Sequence, residues 1–271
     1  MDVNTMIDVL KTSLSQALGL FYTLAGEIVR NASGEPEVHC NNKGVEFIEA
    51  ESDVDLRDLN FYNPDENVGG KLMPKKRHGV LVVQATALRC GGLVLACMFD
   101  HRVLDGYSIN LFTSSWVNMA LSKPLFLVPN VLRSNLNVRH PRVYTPSVAN
   151  MYVPLPIYES LQNVPKNDQY QHSLTNRIYY MEGDQIKRLQ SLASENGTQI
   201  SKIEAVTSFL WKITGSLLED SGHFGYKCNV VVPVNGRRWL EGVEKQKLMA
   251  ARSGNVFSMP FRGMQAKVTT C

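Results

Sequence analysis

The stretch His101-Arg102-Val103-Leu104-Asp105-Gly106 places an imidazole four residues before a carboxylate. It follows the apolar run Leu93-Val94-Leu95-Ala96-Cys97-Met98-Phe99 and precedes a helical pattern from Tyr107 to Leu121. An imidazole at the end of a buried strand is placed to act as a general base toward an alcohol or amine. A histidine satisfied by backbone hydrogen bonds at a strand end is the competing reading. Asp105 has three possible roles: orienting His101, capping the following helix, or pairing with a distant arginine. Gly106 would allow tight backbone packing at the helix start.

Other chemistries lack their residues. The sequence has no G-x-S-x-G nucleophile elbow. Phosphate loops of the G-x-x-x-x-G-K-[ST] and G-x-G-x-x-G types are also missing. No His, Cys and Asp cluster has zinc-ligand spacing, so no metal is expected. Direct transfer by a base, from an activated donor, suits the residues better than covalent catalysis.

The surrounding elements follow from periodicity. Met6, Leu10, Leu14 and Phe21 recur at helical steps before Gly26. Val38–Cys40 and Val45–Ile48 read as short strands around the turn Asn41-Asn42-Lys43-Gly44, and a polar loop is expected from Glu49 to Asn67. Val80–Leu88 and Leu93–Phe99 read as a hairpin turning at Cys90-Gly91-Gly92. Ile109, Phe112, Trp116 and Met119 form the expected core face of the next helix.

Seven of the 12 prolines fall between Ser122 and Asn176, which suggests a crossover between two domains. Beyond it, Ile178–Met181 reads as a strand and Asp184–Asn196 as a helix. Ser201–Leu218 reads as a helix opened by the capping box Ser201-x-x-Glu204, with Ile203, Val206, Phe209 or Leu210, and Ile213 buried. Cys228–Val234 and Asn255–Phe261 read as strands. The expected division is 1–121, a segment 122–176, and 177–271.

Composition narrows the class. The chain has 271 residues, 44% hydrophobic and 20% charged, with a net charge of +3. That is ordinary for a globular protein. The basic run Lys75-Lys76-Arg77 reads as a solvated turn, so no nucleic-acid partner is expected. No apolar run approaches a membrane span, and the start lacks signal-peptide character. Five scattered cysteines fit free thiols in a reducing compartment, so the expected location is cytoplasmic.

Several ordered stretches resemble the BAHD acyltransferases, plant enzymes that move an acyl group from a coenzyme A thioester to an alcohol or amine. Leu10 to Leu18 followed by Phe21-Tyr22-Thr23-Leu24-Ala25-Gly26 is similar to the family's early helix and its "FYPLAG" ending, with Thr23 in place of proline. Cys40 to Ala50 is similar to the next segment. Phe99 to Gly106 matches the H-x-x-x-D-G motif. Ser201 to Trp211, Val234-Asn235-Gly236-Arg237-Arg238 and Gly254-Asn255-Val256 match the second half.

The resemblance implies a chloramphenicol-acetyltransferase-like two-domain α/β fold, with mixed sheets flanked by helices and an incomplete second domain. It implies acyl-CoA as co-substrate, no permanently bound cofactor, a small-molecule alcohol or amine acceptor from plant specialised (phenylpropanoid) metabolism, and a monomer. His101 becomes the catalytic base in a tunnel between the domains. Asp105 points away from the site and pairs with Arg237, with Gly106 supporting the turn. Ser201 is a candidate contact for the coenzyme A arm. The stretches at Tyr107–Asn110 and Asn150–Pro154 lean toward the hydroxycinnamoyl or coniferyl-alcohol branch.

The family's D-F-G-W-G motif does not occur before Cys271, and the first helix starts without the usual preceding strand. The chain therefore reads as truncated or alternatively spliced. The alternative function is a non-catalytic paralogue. Dihydrolipoyl acyltransferase cores carry a motif like Phe99–Gly106, but near their C-terminus.

Overall fold

The computed structural model describes residues 2–67, 71–74, 79–132, 176–194, 198–220, 230–239 and 243–258. Lys75-Lys76-Arg77 and most of the proline-rich segment lie outside these residues. The chain divides into two compact units, Met1–Ile178 with Asn235–Phe257, and Tyr179–Val234 with Ser258–Cys271. The first unit thus includes a segment from beyond the proline-rich stretch.

Helix α1 (Val3–Leu20) opens the first unit, and Asp2 caps it by accepting from Thr5 N at 2.9 Å. A 3₁₀ turn, Tyr22–Ala25, leads to β1 (Glu27–Arg30), which pairs antiparallel with β2 (Pro36–His39). Gly26 is required between turn and strand. A Cβ there would stand 2.7 Å from the His39 carbonyl oxygen.

A three-stranded mixed sheet follows. Strand β3 (Glu46–Ser52) lies parallel to β4 (Leu81–Leu88), and β4 pairs antiparallel with β5 (Leu93–Phe99). The β4–β5 hairpin turns where sequence expects it, with Gly91 at φ +78°. Between β3 and β4, the expected loop instead extends β3 to Ser52 and contains a 3₁₀ turn, Leu56–Asp58, and helix α2, Pro64–Asn67. Pro64 favours that helix because its fixed φ suits a first turn.

Strand β4 is central and buried on both faces. Leu81 and Val83 join Leu14, Ala17, Phe21, Phe112 and Trp116 in one core, between the sheet, α1 and α3 (Gly106–Ala120). Phe112 meets Phe21 edge-on at 5.3 Å and Phe99 at 5.9 Å. The Trp116 indole N–H donates to the Leu10 carbonyl and the Ser13 hydroxyl, each at 3.0 Å, joining α3 to α1. On the opposite face, the buried Gln84 amide donates to Lys71 O at 3.1 Å and Thr86 Oγ at 3.0 Å. A polar residue on this strand is tolerated because both amide hydrogens are used.

The second unit holds helices α4 (Gly183–Ala193) and α5 (Lys202–Asp220). The expected capping box is present. Glu204 N donates to Ser201 Oγ at 3.3 Å, and Ser201 N to Glu204 Oε2 at 2.8 Å. Helix α4 ends at Ala193, before the expected Asn196. The apolar face of α5 is not buried as expected: Ile203 and Leu210 are exposed, and Ala205 is the buried position. Periodicity marks an apolar stripe but cannot say whether anything packs on it. Among the described residues Ile178–Met181 forms no strand; Ile178 N donates to Tyr62 O at 3.2 Å.

Around the unit boundary, the expected Cys228–Val234 strand is reduced. Among the described residues, Val231 makes an isolated bridge, and Pro233, which has no N–H to donate, precedes a two-residue β6, Val234–Asn235. It joins β7 (Phe257–Ser258), and the remainder of the expected Asn255–Phe261 strand lies outside the described residues. A 3₁₀ turn, Gly236–Trp239, and helix α6 (Val243–Ala250) lie between β6 and β7. Among the described residues no helix is long and apolar enough to cross a membrane.

Candidate active site

The site begins where β5 ends. Asp100 N donates to Val80 O at 2.8 Å, continuing the ladder by one bond. Its buried carboxylate then accepts from Arg102 N at 3.1 Å, which turns the chain back on itself. The same carboxylate takes Arg102 Nε at 2.9 Å and Nη2 at 2.7 Å. His101 stands at the apex of this turn and is exposed. Its backbone carbonyl accepts from Asn255 Nδ2 at 2.7 Å.

Asp105 caps α3, accepting from Ser108 N at 2.9 Å and Ser108 Oγ at 2.8 Å. The Arg237 guanidinium grips the same carboxylate with Nη1 at 2.8 Å and Nη2 at 3.1 Å. Val256 N adds a fifth hydrogen bond at 2.9 Å. Arg237 itself donates Nε to Arg252 O at 3.1 Å and Nη2 to Gly254 O at 2.6 Å, and its guanidinium lies 4.4 Å from the Tyr107 ring centre. Side-chain exposure is 3% for Arg237 and 9% for Asp105, so this is a buried ion pair with its hydrogen-bonding groups engaged.

Burial is the largest single influence on the Asp105 carboxyl and works to raise its pKa. The Arg237 guanidinium, the Val256 N–H and the Ser108 N–H and hydroxyl together outweigh it, holding the group below the usual carboxylate range. The carboxylate is thus committed to Arg237 and the β7 approach.

Gly106 departs from expectation. It is exposed, and a Cβ placed on it would meet nothing within 4 Å among the described residues. No close approach demands glycine there. Ser201 caps α5 in the second unit and is exposed. Among the described residues, no cluster of three His, Cys, Asp or Glu could hold a metal ion.

Sequence reasoning gave no site role to Ser108, Tyr107 or Asn255. Ser108 carried a usable signal, since position i+3 from a capping Asp is where its carboxylate finds an N–H. The Tyr107 ring against Arg237 and the Asn255 bond to His101 join residues too distant in sequence to be read from spacing.

The α/β fold that carries this strand-end histidine and the buried Asp105–Arg237 pair is shared with solved structures. Vinorine synthase superposes with a TM-score of 0.65 at 21% identity, over 100% of this chain and 61% of its own. F. graminearum TRI101, solved with coenzyme A and T-2 mycotoxin, gives 0.66 at 11% identity, over 96% and 62%. The family model described as Transferase family matches residues 1–267, and the chain belongs to this family, the BAHD acyltransferases.

Among curated relatives, it is 30% identical to the omega-hydroxypalmitate O-feruloyl transferase of Arabidopsis thaliana, over 87% of this chain and 53% of that protein. It is 31% identical to the shikimate O-hydroxycinnamoyltransferase of Nicotiana tabacum, over 76% and 49%. The chain spans about half the length of the curated relatives it matches.

Proposed function

We propose that this chain carries the proton-transfer half of an acyl-CoA-dependent acyltransferase, with His101 as general base. The observation that carries the reading is the exposed His101 at a turn fixed by Asp100, while Asp105 is occupied by Arg237. The imidazole takes the proton from an acceptor hydroxyl or amine. The freed oxygen or nitrogen attacks the thioester carbonyl and forms a tetrahedral oxyanion, which needs donors aimed at it. That intermediate collapses with cleavage of the C–S bond, and the proton on the imidazolium passes to the departing coenzyme A thiolate. Asp105, Arg237 and the residues around them hold the base in place, and Ser201 contacts the coenzyme A arm. The acyl group is of the hydroxycinnamoyl kind that names the Nicotiana tabacum relative. Segments 1–121 and 177–271 supply the two parts of the acyltransferase.

The test is thiol release by the purified chain from acetyl- and p-coumaroyl-coenzyme A, offered alcohols, shikimate and amines. Turnover abolished by His101→Ala is the expected result. Turnover unchanged in that variant overturns the assignment. Folded protein that releases no thiol with any acceptor fits the non-catalytic alternative.

A further inference from the structure

The peptide unit after His101 helps set where its imidazole points. It is a rigid plane running from the His101 carbonyl to the Arg102 N–H, and rotation of that plane swings the His101 Cα–Cβ bond. Both ends of the plane are gripped. Arg102 N donates to Asp100 Oδ1 at 3.1 Å, and the His101 carbonyl accepts from Asn255 Nδ2 at 2.7 Å. The two grips differ in origin. Asp100 is a neighbour in sequence and moves with the turn. Asn255 lies 154 residues further along the chain, so it ties the turn to a separate part of the first unit.

That part is anchored in the interior. The backbones on either side of Asn255 bond to the Asp105–Arg237 pair and to Ser108, all three of them buried. Gly254 N donates to Ser108 Oγ at 2.9 Å, and the Gly254 carbonyl accepts from Arg237 Nη2 at 2.6 Å. Val256 N donates to Asp105 Oδ2 at 2.9 Å, and the Val256 carbonyl accepts from Gly236 N at 3.0 Å. Asn255 itself is exposed, with its amide turned back onto the His101 carbonyl.

We infer that Asn255 is a positioning residue for acyl transfer. Its amide N–H holds the His101 carbonyl and so carries the fixed geometry of the buried Asp105–Arg237 pair to the imidazole. Asp105 and Arg237 then steady His101 without reaching it themselves. The inference rests on the reading of His101 as the base, but the hold on the turn is measured without turnover.

The variants are Asn255→Ala, which removes the donor, and Asn255→Asp, which keeps the shape but at about pH 8 presents an ionised carboxylate with no N–H. Both are made in the 271-residue chain. NMR relaxation of the Arg102 amide and of the His101 ring is measured beside kcat and KM. The Arg102 order parameter is expected to fall from about 0.85 in the wild type to about 0.6 or below in both variants, with a parallel loss at the ring. The value of kcat should fall about 10- to 100-fold, the scale of a lost orientation. KM for acyl-CoA and for acceptor, and the melting temperature, should not move. Wild-type order and turnover in Asn255→Asp overturn the inference, because size rather than the N–H would then be what matters. A loss confined to KM overturns it too. Should Asn255→Ala fail to fold by circular dichroism, Asn255→Asp decides. His101→Ala separates the two claims. Turnover retained in that variant sinks the base and leaves the order parameters to judge the hold on the turn. Turnover lost there but kept in both Asn255 variants leaves the base and sinks the positioning role. In folded wild-type protein that releases no thiol, relaxation decides, and order unmoved by both Asn255 variants overturns the inference.

Discussion

His101 and Asp105 lie four residues apart, yet their surroundings separate their work. The imidazole is exposed at a turn, whereas the carboxylate is buried and bonded to Arg237, Ser108 and Val256. His101→Ala is expected to lower acyl transfer by about 10²–10⁴-fold, the usual worth of general-base catalysis, with an unchanged melting temperature. Kinetics and a thermal melt on the same preparation check both parts. Arg237→Ala should instead destabilise the first unit by about 3–5 kcal/mol, because it strands a buried carboxylate; a urea titration reads this. The pH dependence has a defined sign. A carboxyl held below its unfolded value adds stability that is complete above the ordinary carboxylate range and disappears as pH falls through the lowered value. Asp105→Asn should flatten that acid limb of the stability profile, and an unaltered limb would place the acid sensitivity elsewhere.

At the scale of elements, α1, the β4–β5 hairpin and α3 were all legible, because each carries a strong period and a clear boundary. The Cys90-Gly91-Gly92 turn followed from local chemistry alone, and capping by Asp105 was one of the three roles that chemistry left open. Strand β1 was not foreseen: Glu27–Arg30 has no alternating apolar pattern, and its pairing with β2 is decided by Gly26 and the close His39 carbonyl. Ile178–Met181 shows the opposite failure. Its residues favour a strand, but no neighbouring edge within the described residues accepts them.

The joint between α1 and α3 rests partly on the Trp116 indole. Trp116→Phe keeps much of the ring but removes the bonds to Leu10 and Ser13, and should cost about 1–3 kcal/mol, measured by denaturant unfolding. Strand and turn also set thiol reactivity. Burial pushes the Cys97 thiol on β5 up to about 11. The exposed Cys90 thiol is lowered, chiefly by the backbone of Leu56 and then that of Gly92. Mass spectrometry after brief iodoacetamide treatment near neutral pH should find Cys90 alkylated well before Cys97.

For the molecule as a whole, the described residues of the two units differ in how well they cover their apolar surface. The first has a continuous core around β4, while α5 in the second leaves Ile203, Leu210 and Leu217 exposed at 67%, 57% and 60%. Exposed apolar stripes of this kind drive association. Leu210→Lys with Leu217→Lys should lower concentration-dependent light scattering without altering the melting of the first unit. Equal scattering from wild type and variant would mean the stripe is not the adhesive surface.

The Asp105–Arg237 contact also has a consequence in time. Its partners are 132 residues apart in the chain, so the brace arrives long after the loop it steadies has been synthesised. At about 5–20 residues/s of elongation, roughly 7–26 s separate the two on a ribosome. During that interval the nascent chain holds a carboxylate with no guanidinium to meet it. A ribosome paused between these codons should present α1, β4 and α3 already protected from protease while the His101 turn is still cut, and release of the remaining chain should close that window.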